Sequence, residues 1–216
     1  LRKSLTKKGV RFFTSAKVTA IESGASSAVC YFEKEGQAQS AESEIVIVSI
    51  GRKARTQNIG LENIGIETVK GMISVNERME TSVPGVYAIG DITGKIMLAH
   101  VASEQGIVAA ENAAGRHHTM QYAVVPSCIY TSPEVATVGL SETEAVRQGL
   151  NIQVGRFPVA ASGKAMIADE KDGFVKLVTD AVTGEVFGAQ IIGPKATELI
   201  SGIGVAMNLE TTVGEI

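Results

Sequence analysis

The residues best placed to do chemistry fall in one stretch, GVYAIGDITGKIMLAH, Gly85 to His100. An apolar run that reads as a short strand ends on Gly90-Asp91, and an Ala-rich helical pattern begins near Leu98. A carboxylate at the end of a core strand is costly unless something polar meets it. A ligand hydroxyl would meet it. Gly90 would let that ligand approach the backbone, and the first amides of the following helix would point at the same place. The plainer alternative is an Asx turn, in which Asp91 serves only its own backbone; spacing alone does not separate the two. His100 lies in the first turn of the same helix, where a lone histidine is ordinarily structural.

Other candidates are weaker. SIGR, Ser49 to Arg52, ends a continuous apolar run, EIVIVSIG, on Gly51. A buried strand closing on glycine marks the usual ligand crevice of an open α/β sheet, though most such glycines simply turn the chain. SGIGVA, Ser201 to Ala206, begins like a phosphate-binding GxG. It lacks the third glycine and lies inside a helical pattern, so close helix packing is the better reading. No complete GxGxxG occurs anywhere in the chain. His117-His118 follows a helix-ending Gly115 with no Cys or carboxylate cluster around it, which reads as solvated loop and not as a metal site. Cys30 and Cys128 form no CxxC or CxxxxC pair and read as two reduced thiols.

The elements that must position these residues belong to ordinary globular material: 216 residues, 44% hydrophobic and 20% charged. A net charge of −3 lacks the basic surface of a general nucleic-acid binder. The apolar runs are too short to span a bilayer, and LRKSLTKKGV lacks a secretory signal's apolar core. That segment reads as the last turns of an amphipathic helix closed by Gly9. VRFFT, AKVTAIE, AVCYFEKE and QAQSAE read as a strand followed by an antiparallel meander, with Gly24 and Gly36 as punctuation. EIVIVSIG suits a fully buried strand. RKARTQNIGLENIGIET reads as a linker, and GMISV and GVYAIG as short strands. LAHVASEQGIVAAENAAG reads as a helix closing on Gly115.

A second region begins near Tyr122. VVPSCIYT and EVATVGL are strands joined at Ser132-Pro133. SETEAVRQG is a helix with Ser141 and Glu144 as a capping box. IQVGRFPV, FVKLVTD and VFGAQIIG are strands, the last two joined by a turn at AVTGE, and ATELISGIGVAMNLE is a small-residue helix. Strands grouped with flanking helices predict an α+β domain on an antiparallel sheet. The closing ETTVGEI reads as a Thr cap and the first turn of a helix. With both ends cut inside elements, the chain is expected to be an internal piece of a longer polypeptide.

Thr81 to Gly115, TSVPGVYAIGDITGKIMLAHVASEQGIVAAENAAG, closely resembles the second FAD-binding motif of the pyridine nucleotide–disulfide oxidoreductases. Its MLAH segment, Met97 to His100, resembles the dihydrolipoyl dehydrogenase branch. VPSCIYTSPEVATVGLSETEA, Val125 to Ala145, resembles the opening of that family's dimerisation domain, and EIVIVSIGRKART the end of its NAD-binding domain. The sequence differs from the branch at Ala54, where many relatives have proline, at Val101 and Gln105, where Lys and Glu are frequent, and at Ser132, where histidine is common.

The resemblance implies an α/β and α+β architecture. Residues 1–53 would be the C-terminal part of an NAD-binding domain. Residues 54–121 would be the second half of an FAD-binding domain, both being remnants of Rossmann-like folds. Residues 122–216 would be an antiparallel-sheet dimerisation domain truncated at its C-terminus. Asp91 would bind the ribityl chain of FAD, and the backbone of Met97, Leu98, Ala99 and His100 would lie against the flavin. Gly51 and Val18 would contact NAD. The family's CxxxxC pair, first FAD motif and NAD GxGxxG would lie upstream, and its catalytic His and Glu downstream, leaving no catalytic residue and no metal ligand here. The implied parent oxidises protein-bound dihydrolipoamide with NAD+ through a redox disulfide and FAD, while this chain alone is expected to be inactive. The implied partners are a second copy in a homodimer and the lipoyl domain of a 2-oxo acid dehydrogenase or glycine cleavage complex, with neither nucleic acid nor membrane. The implied location is the cytoplasm, or the mitochondrial matrix in a eukaryote. Two other classes remain open: a mercuric reductase-like or coenzyme A-disulfide reductase-like flavoprotein, and a non-enzymatic dimerisation module.

Overall fold

The structure, a computed structural model, describes all 216 residues. They divide into two compact units, Arg2–Arg52 and Lys53–Ile216, the latter grouped with Leu1. The first holds helix α1 (Arg2–Lys7) and a three-stranded antiparallel sheet, β1 (Ala16–Ser23), β2 (Ala28–Lys34) and β3 (Gln37–Ser43), in that order. Glu35 and Gly36, both with positive φ, make the two-residue turn between β2 and β3. This is the backbone twist that a tight hairpin requires. Ala28 and Phe32 of β2 are buried, and the Phe13 ring lies 4.8 Å from that of Phe32.

Two expectations fail in this unit. VRFFT forms no strand, and EIVIVSIG is neither a strand nor buried. Ile45, Ile47 and Ile50 are 77%, 85% and 94% exposed. A continuous apolar run becomes a buried strand only with a strand on each edge and cover on both faces. The three strands of this unit pair only with one another.

In the second unit the stretch expected to be a linker is largely exposed but lends Thr56, Leu61 and Ile66 to the interior. Leu61–Ile64 form a 3-10 turn, Ile66 is buried with Ile73 and Ala88, and the buried Thr56 hydroxyl donates to the Gly71 carbonyl at 2.7 Å. Short strands β4 (Thr68–Val69) and β5 (Met72–Ile73) pair as a hairpin. GVYAIG makes only an isolated bridge, Tyr87 with Glu80, because the chain leaves the pairing to enter a 3-10 turn at Gly90. Helix α2 (Ala99–Ala113) ends as expected. The Arg116 amide donates to the Glu111 carbonyl at 2.9 Å, and Gly115 takes the left-handed conformation that closes the helix.

The rest of the unit is a five-stranded antiparallel sheet in the order β6-β7-β10-β9-β8, built from β6 (Ser127–Ile129), β7 (Glu134–Gly139), β8 (Ile152–Pro158), β9 (Phe174–Asp180) and β10 (Val186–Gly193). Helix α3 (Glu142–Arg147) carries the expected capping box at Ser141 and Glu144, and a short α4 (Gly163–Ile167) follows β8. Helix α5 (Ala196–Asn208) lays Ala196, Ile200, Ile203 and Met207 on Ala136, Val138, Ala189 and Ile191 of the two central strands. That spacing of four, three and four residues is the single stripe a helix presents to a sheet. Of the two glycines in SGIGVA, an added Cβ at Gly204 would face the Val124 carbonyl, whereas Gly202 faces open space, so only one serves close packing. ETTVGEI forms a bridge from Thr212 to Glu185 and a turn in which Glu215 accepts from the Thr212 amide and hydroxyl at 2.8 Å. No helix is long and apolar enough to cross a membrane.

Candidate flavin site

The Gly90-Asp91 turn is held by buried polar groups. Ile89 is extended, Gly90 has φ +74, and Gly90–Thr93 form one 3-10 turn closed by Gly94 at φ +67. A side chain at Gly90 would be strained at that φ, which explains the glycine. The buried Thr93 hydroxyl donates to the Gly90 carbonyl at 2.9 Å, and the Gly90 amide donates to Gln105 Oε1 at 2.7 Å. Asp91 is thereby presented, half-buried, from a turn whose backbone is fixed on its N-terminal side.

Beyond that turn, Ile96 and Leu98 pack into the cluster of Met79, Val101, Val108, Ala109 and Met120. Leu98 is the N-cap residue of α2 and offers no side-chain acceptor to the first-turn amides. Ala99 and His100 are exposed. The N-terminus of this 15-residue helix carries partial positive charge and first-turn N–H donors that the Leu98 side chain does not cap. His100 itself is committed elsewhere, its Nε2 lying 3.1 Å from the Pro126 carbonyl oxygen.

Asp91 and Met97–His100 are therefore brought into one unit along the 3-10 turn and the start of α2. Val18 and Gly51 lie in the other unit. Val18, 55% exposed, sits at the register shift of β1, and Gly51, at φ +115, has open space where a Cβ would point. His118 Nδ1 lies 2.6 Å from Glu111 Oε2, and Cys30 and Cys128 are separate thiols. No group of three or more His, Cys, Asp or Glu side chains is placed to hold a metal ion. Gln105 carries a signal in the sequence beyond its departure from relatives: with Val101, Val108 and Asn112 it falls on the buried stripe of α2, where an amide needs partners.

Residues 1–106 match the pyridine nucleotide-disulphide oxidoreductase family, and residues 125–216 match that family's dimerisation domain. The chain belongs to this family. Within these oxidoreductases it is 46% identical over 215 residues to the dihydrolipoyl dehydrogenase of Bacillus subtilis (strain 168), covering 98% of the chain and 45% of the relative. It is 44% identical over 218 residues to that of Rhizobium etli, covering 100% of the chain and 45% of the relative. The crystal structure of LpdA from Mycobacterium tuberculosis superposes with a TM-score of 0.90 at 28% identity, covering 99% of the chain and 46% of the LpdA chain. The chain thus spans about half the length of the oxidoreductases it matches. Members of the family use FAD and NAD.

The donor set of the turn and helix suits FAD. A carboxylate next to the α2 N-terminus pairs an acceptor for polyol hydroxyls with a positive end for an electron-rich ring edge. The uncapped first turn is the direct observation, since its amides otherwise have no acceptor from the N-cap side chain.

Proposed function

We propose that the protein carrying this chain is a dihydrolipoyl dehydrogenase, oxidising protein-bound dihydrolipoamide with NAD+ through a redox disulfide and FAD. The observation that carries the reading is the Gly90-Asp91 turn beside the uncapped α2 start, in a chain 46% identical to the B. subtilis dihydrolipoyl dehydrogenase. Residues 1–53 are assigned to the NAD-binding domain, 54–121 to the FAD-binding domain and 122–216 to the dimerisation domain, which joins two copies in a homodimer. A lipoyl domain is the macromolecular substrate, and the compartment is the cytoplasm, or the mitochondrial matrix in a eukaryote.

In this reading Asp91 accepts hydrogen bonds from the ribityl hydroxyls, and the backbone of Met97, Leu98, Ala99 and His100 faces the flavin ring. The α2 N-terminus favours negative charge there. Gly51 leaves room for NAD to approach the backbone, and Val18 offers it an apolar contact. FAD supplies the two-electron chemistry when bound. The residues of this chain bind and orient, because the 216 residues contain no CxxxxC pair to exchange with a dithiol.

The test uses the whole protein that carries these residues, purified and reconstituted with FAD. A flavin absorption band and NAD+ reduction with dihydrolipoamide are expected. A colourless protein after reconstitution would overturn the assignment. Turnover with mercuric ion or coenzyme A disulfide, and none with dihydrolipoamide, would move it to another branch of the family. The 216 residues alone are expected to give no NAD+ reduction.

A further inference from the structure

We propose that Gln105 is a positioning residue for the flavin site, its buried amide fixing the Gly90-Asp91 turn while Tyr122 fixes the amide. This rests on the FAD reading above.

Gln105 is 0% exposed, seven residues into α2. An amide buried there must find partners for both ends. The Gly90 N–H can only donate, so the group facing it at 2.7 Å is the acceptor Oε1. This assignment turns Nε2 toward the Tyr122 hydroxyl, 2.9 Å away, which then accepts. The hydroxyl proton is left to point elsewhere, and Met79 Sδ stands 3.8 Å from the oxygen. Lys95 Nζ lies 5.2 Å from the centre of the Tyr122 ring.

The backbone leading into Asp91 is set by this chain of bonds. The Gly90 carbonyl is held by Thr93 and the Gly90 amide by Gln105, so the residue before the carboxylate is pinned at both of its polar groups. An apolar residue at 105 would fill the volume but strand the Gly90 amide. A glutamate would keep an acceptor for Gly90, and Tyr122 would have to turn its hydroxyl to donate. Gln105 and Tyr122 therefore act as one unit with a defined polarity, whereas Asn112, the other buried amide of α2, bonds the Arg78, Val108 and His118 carbonyls and has no contact with the turn.

The experiment measures FAD dissociation constants and apoprotein melting temperatures in the whole protein, with hydrogen exchange of the Gly90 amide as a separate readout. Gln105→Leu is expected to weaken FAD about tenfold, the scale of one stranded buried donor, and to speed Gly90 exchange. Gln105→Glu is expected to stay within about threefold of the parent, and Tyr122→Phe to lose about three- to fivefold. Asn112→Leu should lower the melting temperature with FAD affinity unchanged. If Gln105→Leu lowers melting but leaves FAD affinity and Gly90 exchange at parent values, the residue is merely core and the proposal falls. If Gln105→Leu does not fold, Tyr122→Phe decides, and unchanged affinity and exchange in that variant overturn the proposal. If the parent protein binds no FAD, the functional reading fails; faster Gly90 exchange in Gln105→Leu would still support the positioning of the turn, and unchanged exchange would remove that too.

Discussion

Helices α2 and α5 are of similar length and both rich in small residues, yet they are fastened to their surroundings differently. In α5 the Glu134 carboxylate, from the neighbouring strand β7, accepts from the Thr197 amide at 3.0 Å and from its hydroxyl at 2.7 Å. Those bonds hold the Glu134 carboxyl below its ordinary pKa, the backbone donor contributing most. Neither N-cap side chain, Leu98 of α2 or Lys195 of α5, caps its own helix, so the Glu134 contact is what sets the α5 start apart. The inner faces differ as well. That of α5 is an apolar stripe, and that of α2 is broken by the Gln105 and Asn112 amides. The α5 helix is tied at its start to a neighbouring strand and packs through apolar side chains, whereas the polar interior of α2 is wired to the Gly90-Asp91 turn.

The contrast can be broken most severely on the α5 side. Ile200→Ala, at a fully buried position, is expected to destabilise the chain by about 3 kcal/mol, read from urea denaturation midpoints. On the α2 side, Asp91→Ala is expected to raise the FAD dissociation constant of the whole protein at least tenfold, roughly 1.5–3 kcal/mol for hydrogen bonds to a charged group. Flavin fluorescence titration measures it, and an unchanged constant would remove the site.

Smaller effects sharpen the contrast. Glu134→Ala is expected to cost about 1 kcal/mol, as cap losses do. Because the Glu134 carboxyl is depressed in the folded chain, its contribution is complete above the ordinary value of 4.5 and is lost as pH falls below it through the lowered folded value. Denaturation midpoints at pH 7 and pH 3.5 should therefore differ less in Glu134→Ala than in the parent chain. The smallest change installs on α2 what α5 already has. Ala99→Asp places an exposed carboxylate in the first turn and should stabilise the apoprotein by about 0.5 kcal/mol while weakening FAD a few-fold.

The sequence made the second half of the fold legible because its signals are local. The Ser141–Glu144 box, the turn at Asp180, where Oδ1 accepts from the Val182 and Thr183 amides, and Gly115 each fix an end within a few residues. What it hid depends on partners distant in the chain. EIVIVSIG has the composition of a buried strand, but strand formation needs edges that residues 2–52 do not provide. RKARTQNIGLENIGIET looked like a linker because its glycines and polar residues outnumber Leu61 and Ile66, which nonetheless pack into the core. The Gly90-Asp91 turn could be named from its spacing, while the groups that hold it, Thr93 and Gln105, became visible only with the fold.

The contact between the His100 ring and the Pro126 carbonyl oxygen spans 26 residues. It couples the mouth of α2 to the lead-in of β6, whose sheet lies in the matched dimerisation domain. A shift of that lead-in cannot be absorbed in the connecting segment alone. It must either part the ring from the carbonyl or drag the opening of the helix along with it.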